Sequence, residues 1–534
     1  MENNTNMAGN EENIPNYNRG QNNRANYYQQ LKETRKQKSA VRFNKLGLPS
    51  LLYGMIFAIG IYHSVDGFFN LFAAIATVVY ISYVAKISEK EFGKFEKFNS
   101  ACIILLSISN FLTGNGTIIF FNYMAILLLI IVTGIYMFVD VKDVLTSIQI
   151  STMVVIPIMA IEKMFNAVGD FFSNITTISL KKNKKLVYVI IGVCITIPFF
   201  VIICGLLMSA DGVFNSIFES IFDKLHIADV IFDIISIGFL FVLGYMASYG
   251  MVANLQERSY EFKKGKIKNG EPIIAIIFTA AISFLYLIFS VIQIYYLFLG
   301  NGQLPDDYTY AEYAREGFFQ LLFVCLFNMV IVLVCNEFFR KNIVLKILNF
   351  VVCGCTFIMI ASSTYRMKMY VDEYGLTFIR VLVLWALLVI TVLMVGLIKQ
   401  IMDIKFNLFK YSVVVVSVLY IAFSFSHPDY YIATYDLAMY ENLEKSGIDY
   451  VDYDYINDLS SDAAPAILKH KDAVFNHLGN YEWKIKNCDW AHIRVEYTDY
   501  TKNKIGIRNF NVSHFIAQSN FQKYFNEDSR KIGE

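Results

Sequence analysis

Long apolar runs constrain this chain more than any other feature. Stretches of 14 to 27 residues, nearly free of charge, recur from Leu48 to Phe425. A bilayer's hydrocarbon core is about 30 Å thick and takes roughly 20 helical residues to cross. Lipid offers the backbone no hydrogen-bond partners, so each run must satisfy its own peptide groups as a helix. Spans are predicted at 48–63, 68–85, 99–112, 118–139, 186–208, 227–249, 272–298, 318–335, 344–362, 376–398 and 411–426. The expected fold is therefore all-α, a polytopic helical membrane bundle of about eleven transmembrane helices. Composition agrees, since 56% of residues are hydrophobic and only 17% charged, against about a quarter in soluble domains.

Lys and Arg accumulate in short loops on the cytoplasmic side of a membrane. With the N-terminus inside, the inside segments hold 28 of them and the outside loops 4. The bias runs the same way along the whole chain. Leu145 to Ile161 is apolar enough to tempt a further span, but Lys142 precedes it and Lys163 and Lys181 to Lys185 follow. Both flanks favour the same side, so an interfacial or re-entrant helix is expected there.

Three domains follow. Residues 1–45 read as a disordered cytoplasmic tail, with ten asparagines between Asn3 and Asn26 and no signal-peptide architecture. Residues 46–426 form the transmembrane domain. At His427-Pro428-Asp429 the composition changes abruptly, and 427–534 carry 12 Lys and Arg against 17 Asp and Glu. With an odd number of spans, this part is extracytoplasmic. Its first helix is expected to use Ile432, Tyr435, Met439 and Leu443 as a stripe and to end by Gly447. Ser461 and Asp462 offer cap chemistry for a second helix, Ile493 to Tyr497 is the strand candidate, and Phe510 to Phe525 returns to helical spacing.

The net charge of +1 and the lack of a basic, aromatic-interleaved stripe argue against a nucleic-acid partner, and leave the lipid bilayer as the implied one. Seven of the eight cysteines fall in apolar runs, so neither a disulfide framework nor a metal site is expected. No phosphate-cradle spacing surrounds the glycines at 114, 116, 265 or 270, and no cofactor is expected. Gln293, Gln320 and Asn328, inside spans, are expected to bond between helices.

Three constellations could carry chemistry. Asp211, Glu312, Arg315, Glu316, Arg366 and Arg380 all fall at or near outer helix ends and form a candidate outer-face polar cluster. Two readings stay open: ion pairs locking helix ends, or a ligand site. Arg380 sits about one turn inside its span, where an unpaired charge costs up to ~3 kcal/mol. It calls for an acidic or carbonyl partner, with Asp211, Glu316 and Asp372 in reach by topology and Asp211 favoured. His63 and Asp66 occupy the first outer loop, which reads as a hairpin turn. In the tail, Ser460, Ser461 and Asp462 coexist with His470, His477, His492 and His514, but no hydrolase spacing occurs.

Several stretches resemble a known family: Ser209 to Phe214, Tyr310 to Leu321, Ser363 to Arg380, His427 to Met439 (HPDYYIATYDLAM), Leu459 to Leu468 (LSSDAAPAIL) and Arg508 to Ser513 (RNFNVS). They are similar to the bacterial membrane proteins of domain-of-unknown-function family 4173 and its relative 4153. His427 and Phe510 depart from the family pattern, which favours Asn and Trp there. The resemblance implies architecture and a bacterial cell membrane, and no activity. The functional expectation is a non-enzymatic sensor or scaffold of the cell envelope displaying an outer domain. A small-molecule or ion transporter and an envelope enzyme, such as a lipid-linked sugar transferase, are the alternatives.

Overall fold

The computed structural model describes residues 16–141, 144–174, 207–212, 227–257, 270–295, 310–403, 405–445, 452–470 and 506–520, with positions 196 and 203. The described residues are helical and contain no strand, apart from one isolated bridge between Gly270 and Phe339. Helices are α1 (Asn16–Ile61), α2 (Asn70–Ile87), α3 (Lys94–Leu112), α4 (Gly116–Phe138), α5 (Thr146–Asn174), α6 (Ile227–Glu257) and α7 (Pro272–Gln293). They continue with α8 (Tyr310–Phe338), α9 (Ile343–Tyr374), α10 (Phe378–Met402), α11 (Leu408–Ser424), α12 (Pro428–Lys445), α13 (Tyr453–Asn457) and α14 (Ala464–Lys469). A 3-10 turn covers Ser461–Ala463 and a last helix covers 512–520. The protein is an all-helical polytopic membrane bundle.

Among the described residues nine helices are long and apolar enough to cross a membrane: α1 from Lys36, α2, α4, α5, α6 from Phe232, α7, α8 from Phe319, α9 and α10. A tenth follows if α11 and residues 428–443, bent by 54°, count as one span. The expected span at 99–112 is helical as α3, but it begins in the charged turn Lys94-Phe95-Glu96-Lys97 and is not among the nine. The expected span at 186–208 lies almost entirely outside the described residues, as does the strand candidate at 493–497.

The helices are inside out relative to a soluble bundle. In α7 the buried residues are Ala275, Thr279, Ser283, Ser290 and Gln293, while Ile273, Ile274, Ile277 and Phe284 are at least 65% exposed. Small and polar residues let neighbouring helices approach, and the apolar face meets lipid. Two expected interhelical bonds form: the Gln293 carbonyl accepts from Ser362 at 2.6 Å, and Asn328 donates to Thr356 at 2.9 Å. Gln320 is exposed.

The chain divides into two compact units. One comprises Met1–Met55 and Ala160–Ala253, the other Ile56–Met159 and Asn254–Glu534. Within the first, α1 is continuous from Asn16, and Arg42 bonds Asp170 and Tyr249 through its Nε at 2.7 and 3.2 Å. The Tyr249 hydroxyl donates to the same Asp170 oxygen at 2.7 Å, and Asn174 donates to Ser39.

Within the second unit, one apolar core joins α8, α9 and α10 around Val332, Val352, Leu387 and Met394, and another joins α2, α3, α4 and α11 around Ile103, Leu106, Leu129 and Tyr420. Asparagine caps fix the helix starts: Asn115 accepts from Ile118 N–H, Asn342 from Val344 N–H and Asn407 from Lys410 N–H. The Glu337 carboxylate, buried at the end of α8, accepts from the Thr146 and Ser147 N–H groups at 2.8 and 3.1 Å. A carboxylate at a helix N-terminus satisfies orphan donors and the helix dipole together.

The short helix expected at 145–161 is instead the 29-residue α5. Glu162 and Lys163 do not stop it, because the polar residues beyond them, Asp170 and Asn174, find buried partners on α1 and α6.

Candidate functional site

Where the C-terminal elements meet the helix-connecting turns of the second unit, buried polar groups concentrate. The α3–α4 turn is Thr113-Gly114-Asn115. Asp462, from the 3-10 turn, accepts from the Thr113 hydroxyl at 2.5 Å, from Gly114 N–H at 2.9 Å and from His427 Nδ1 at 3.2 Å. One carboxylate, its side chain 1% exposed, thus joins three distant segments.

Asp429, in the first turn of α12, adds a second staple: its Oδ2 accepts from Asn115 Nδ2 at 2.9 Å and Ser460 N–H at 3.1 Å. A Cβ at Gly114 would lie 1.9 Å from the Ser461 hydroxyl, so any larger residue there displaces that side chain.

Asn511 is wholly buried, and its amide donates to the carbonyls of Asp66 and Thr113 at 2.8 and 2.9 Å. Arg508 donates to the Tyr62 and Ile59 carbonyls at 2.9 and 2.7 Å. It thereby caps the C-terminal end of α1, where a cation complements the helix dipole. Phe68 N–H donates to the Phe510 carbonyl, and Ser64 to that of Arg508. The loop after α1, expected to be a hairpin turn, is also a docking platform for the tail. His63 there has φ 47°, and Asp66 faces His514 at 3.8 Å.

On the α9–α10 connection, Leu376 N–H donates to Asp436 at 2.6 Å and Phe378 N–H donates to the Tyr455 hydroxyl at 2.8 Å. Gly375 takes φ 73° beneath Asp436, in the left-handed region that favours glycine. The buried face of α12 is Asp429, Ile432, Ala433, Asp436, Leu437 and Tyr440. It differs from the expected stripe, because Tyr435 is exposed and two acids turn inward to meet backbone N–H groups and Asn115.

Between these elements lies a cavity of about 340 Å³, lined chiefly by His427, Tyr430, Tyr431, Ser461, Asp462 and Ser513. His427 has φ 49° and opens α12 ahead of Pro428. Non-glycine residues held in this region are strained and concentrate at functional sites. The hydrogen bond that His427 donates to Asp462 raises the His427 pKa above its ordinary value, against the opposing effect of burial. Burial alone would push Asp462 up, but hydrogen bonds from His427, Ser513, Thr113 and Gly114 outweigh it and hold the carboxyl below the usual range. Burial raises Asp429, and pushes Asp436 up to about 7. A negatively charged Asp462 therefore faces a readily protonated imidazole at the cavity wall.

The profile of DUF4153, a domain of unknown function, matches residues 100–470. The chain belongs to the DUF4153 family. No curated protein and no solved structure matches it. The DUF4153 match covers Thr113, Asn115, His427, Asp429, Asp436 and Asp462, whereas the loop from Tyr62 to Phe69 and the Arg508–Ser513 stretch fall outside it.

The residues predicted from sequence are placed as follows in this DUF4153 protein. Arg366 is buried in α9 and donates to Gln293 at 3.3 Å. Arg380 finds the carbonyl partners it needs in Tyr374 and Gly375, at 2.9 and 2.5 Å, and stacks its guanidinium over Tyr370 at 4.1 Å. Glu312, Arg315 and Glu316 are helical in α8, but their side chains lie outside the described residues. Asp211 follows the short helical stretch 207–210 in the other unit.

The reading of Ser461 and Asp462 as cap residues is corrected. Ser460 caps the 3-10 turn, accepting from Asp462 N–H, while Ser461 meets Ser513 at 2.8 Å and Asp462 holds the α3–α4 turn. Sequence reasoning also passed over Thr113, Asn115, Asp429 and Asp436. For Asp429 and Asp436 the available signal was their place in the His427 to Met439 stretch that carries the family resemblance; Thr113 and Asn115 lie outside every such stretch.

Proposed function

We propose that this membrane protein is a non-enzymatic sensor of the bacterial cell envelope. Its C-terminal elements lie on the extracytoplasmic face of the plasma membrane and act as a ligand-responsive cap on the transmembrane helices. The finer placement in family 4173 belongs to the same reading, supported by the HPDYYIATYDLAM, LSSDAAPAIL and RNFNVS stretches. One observation carries the proposal: Asp462 both lines the cavity and holds the α3–α4 turn. A small polar ligand that takes a hydrogen bond from His427 or Ser461, or donates one to Asp462, competes directly with the bonds fixing that turn. Ligands shift equilibria by differential affinity for two states, and this arrangement supplies the differential contact. Arg366 and Arg380 act in this scheme as structural charges that brace α9 and α10.

The test is hydrogen exchange of the α3–α4 turn in the full chain, reconstituted in lipid, while sugars, amino acids and inorganic anions are added one class at a time. The sensor reading expects one class to change protection of residues 110–118, and a His427→Ala variant to lose the response. If no class changes protection, the chain is a static scaffold.

A second reading, an envelope hydrolase, is favoured by the Asp462-held imidazole beside Ser461 and Ser513. Labelling of either serine by a fluorophosphonate probe, abolished by His427→Ala, would select it.

A further inference from the structure

At the end of the second unit opposite the tail contacts, the α8–α9 connection encloses a cavity of about 280 Å³. Arg340, Lys341 and Lys346 line it, together with Asn349 and the apolar side chains of Ile343 and Met402. The site is built rather than incidental. Paired backbone bonds between Gly270 and the Phe338 to Arg340 segment clamp the connection, and Asn342 caps α9. Arg340 is partly engaged by Glu271 at 3.2 Å, whereas Lys341 and Lys346 make no ion pair among the described residues. Asn349 is 2% exposed, yet its Oδ1 has no hydrogen-bond partner. A buried amide acceptor left unpaired costs about 1–3 kcal/mol, and here it lines the cavity.

We propose that this cavity binds the headgroup of an anionic phospholipid. The two lysines take the phosphate, Asn349 Oδ1 accepts from a headgroup hydroxyl, and the lipid's glycerol and first chain carbons lie along Ile343 and Met402. Those two side chains are 70% and 69% exposed at the membrane end of their helices. That apolar wall favours a lipid over a free phosphate ion, which would gain nothing from it. Basic pockets between helices on the positively charged side of a membrane protein suit such headgroups.

The test is native mass spectrometry of the detergent-purified full chain, with phosphatidylglycerol or phosphatidylcholine supplied. Wild type is expected to retain about tenfold more phosphatidylglycerol, given the contribution of each basic group near an anionic lipid. Lys341→Gln with Lys346→Gln should bring the ratio near one, and Lys90→Gln with Lys405→Gln, elsewhere on the surface, should leave it unchanged. Should the double variant fold poorly, Asn349→Leu should still lower retention of phosphatidylglycerol. Equal retention of both lipids by wild type overturns the proposal, as does retention unchanged by all cavity variants. Displacement of the lipid by excess inorganic phosphate alone also overturns it, by assigning the cavity to a free anion.

Discussion

The hydroxyl of Thr113 and the carboxylate of Asp462, 349 positions apart, meet at 2.5 Å in a site closed to solvent. Asp462→Ala leaves Thr113, the Gly114 N–H and His427 without their shared acceptor. The expected loss is about 3–5 kcal/mol, the cost of breaking a buried charged network from one side. Asp462→Asn keeps an acceptor and should lose less. Thermal unfolding in detergent checks the order. Equal stability of wild type and the alanine variant would mean that the carboxylate does not hold the turn.

Gly114→Ala places a methyl group against Ser461. The variant should be destabilised, and adding Ser461→Gly should restore part of the loss, because the two changes share one contact and are not additive. Independent, additive effects would show that the tail does not pack on the α3–α4 turn as described.

The cap should be most stable in mildly acidic solution. Asp436 has its folded pKa raised to about 7 from an ordinary 3.8. Its contribution is therefore complete below about 3.8 and is lost as pH rises through 7. Asp429 and His427 are also raised, so their contributions fade with rising pH. Asp462 is depressed, and its contribution fades only as pH falls through a value below 3.8. Asp436→Asn cannot ionise, so its melting temperature relative to wild type should climb between pH 4 and pH 7. A difference that stays flat over that range would refute the buried, protonated Asp436.

Helix α5 is long enough to cross a membrane but should not do so. Its start is held by Glu337 and Gln400 at the C-terminal ends of α8 and α10, and Asn254, near the end of α6, donates to Ile156. In the other unit its last turns meet Arg42 and Ser39, where α1 begins its apolar stretch. The basic flanks Lys142 and Lys181 to Lys185 both favour the side of the N-terminus. Reporter fusions after Lys142 and after Lys185 should therefore report the same side, and opposite reports would make α5 a span.

An impermeant maleimide should label a cysteine placed near Gly533 in intact cells, because the tail docks on the turns after α1, α3 and α9, which the 28 to 4 charge bias puts outside. Labelling only after lysis would invert the orientation.

The apolar runs by themselves determined the helical membrane bundle, since lipid leaves a spanning backbone no other way to satisfy its peptide groups. The interhelical roles of Gln293 and Asn328 were equally legible, because a buried polar group in a span must be paired, whereas for Arg380 the sequence favoured Asp211 and the structure supplies the Tyr374 and Gly375 carbonyls. Tertiary structure alone decided what the tail does. Asp429, Asp436 and Asp462 fall in stretches that carry the family resemblance, but nothing in their local sequence shows which groups they meet. Their partners, Asn115, Leu376 and Thr113, lie 60 to 349 positions away, and it is desolvation against those partners that turns ordinary carboxylates into the staples of the cap.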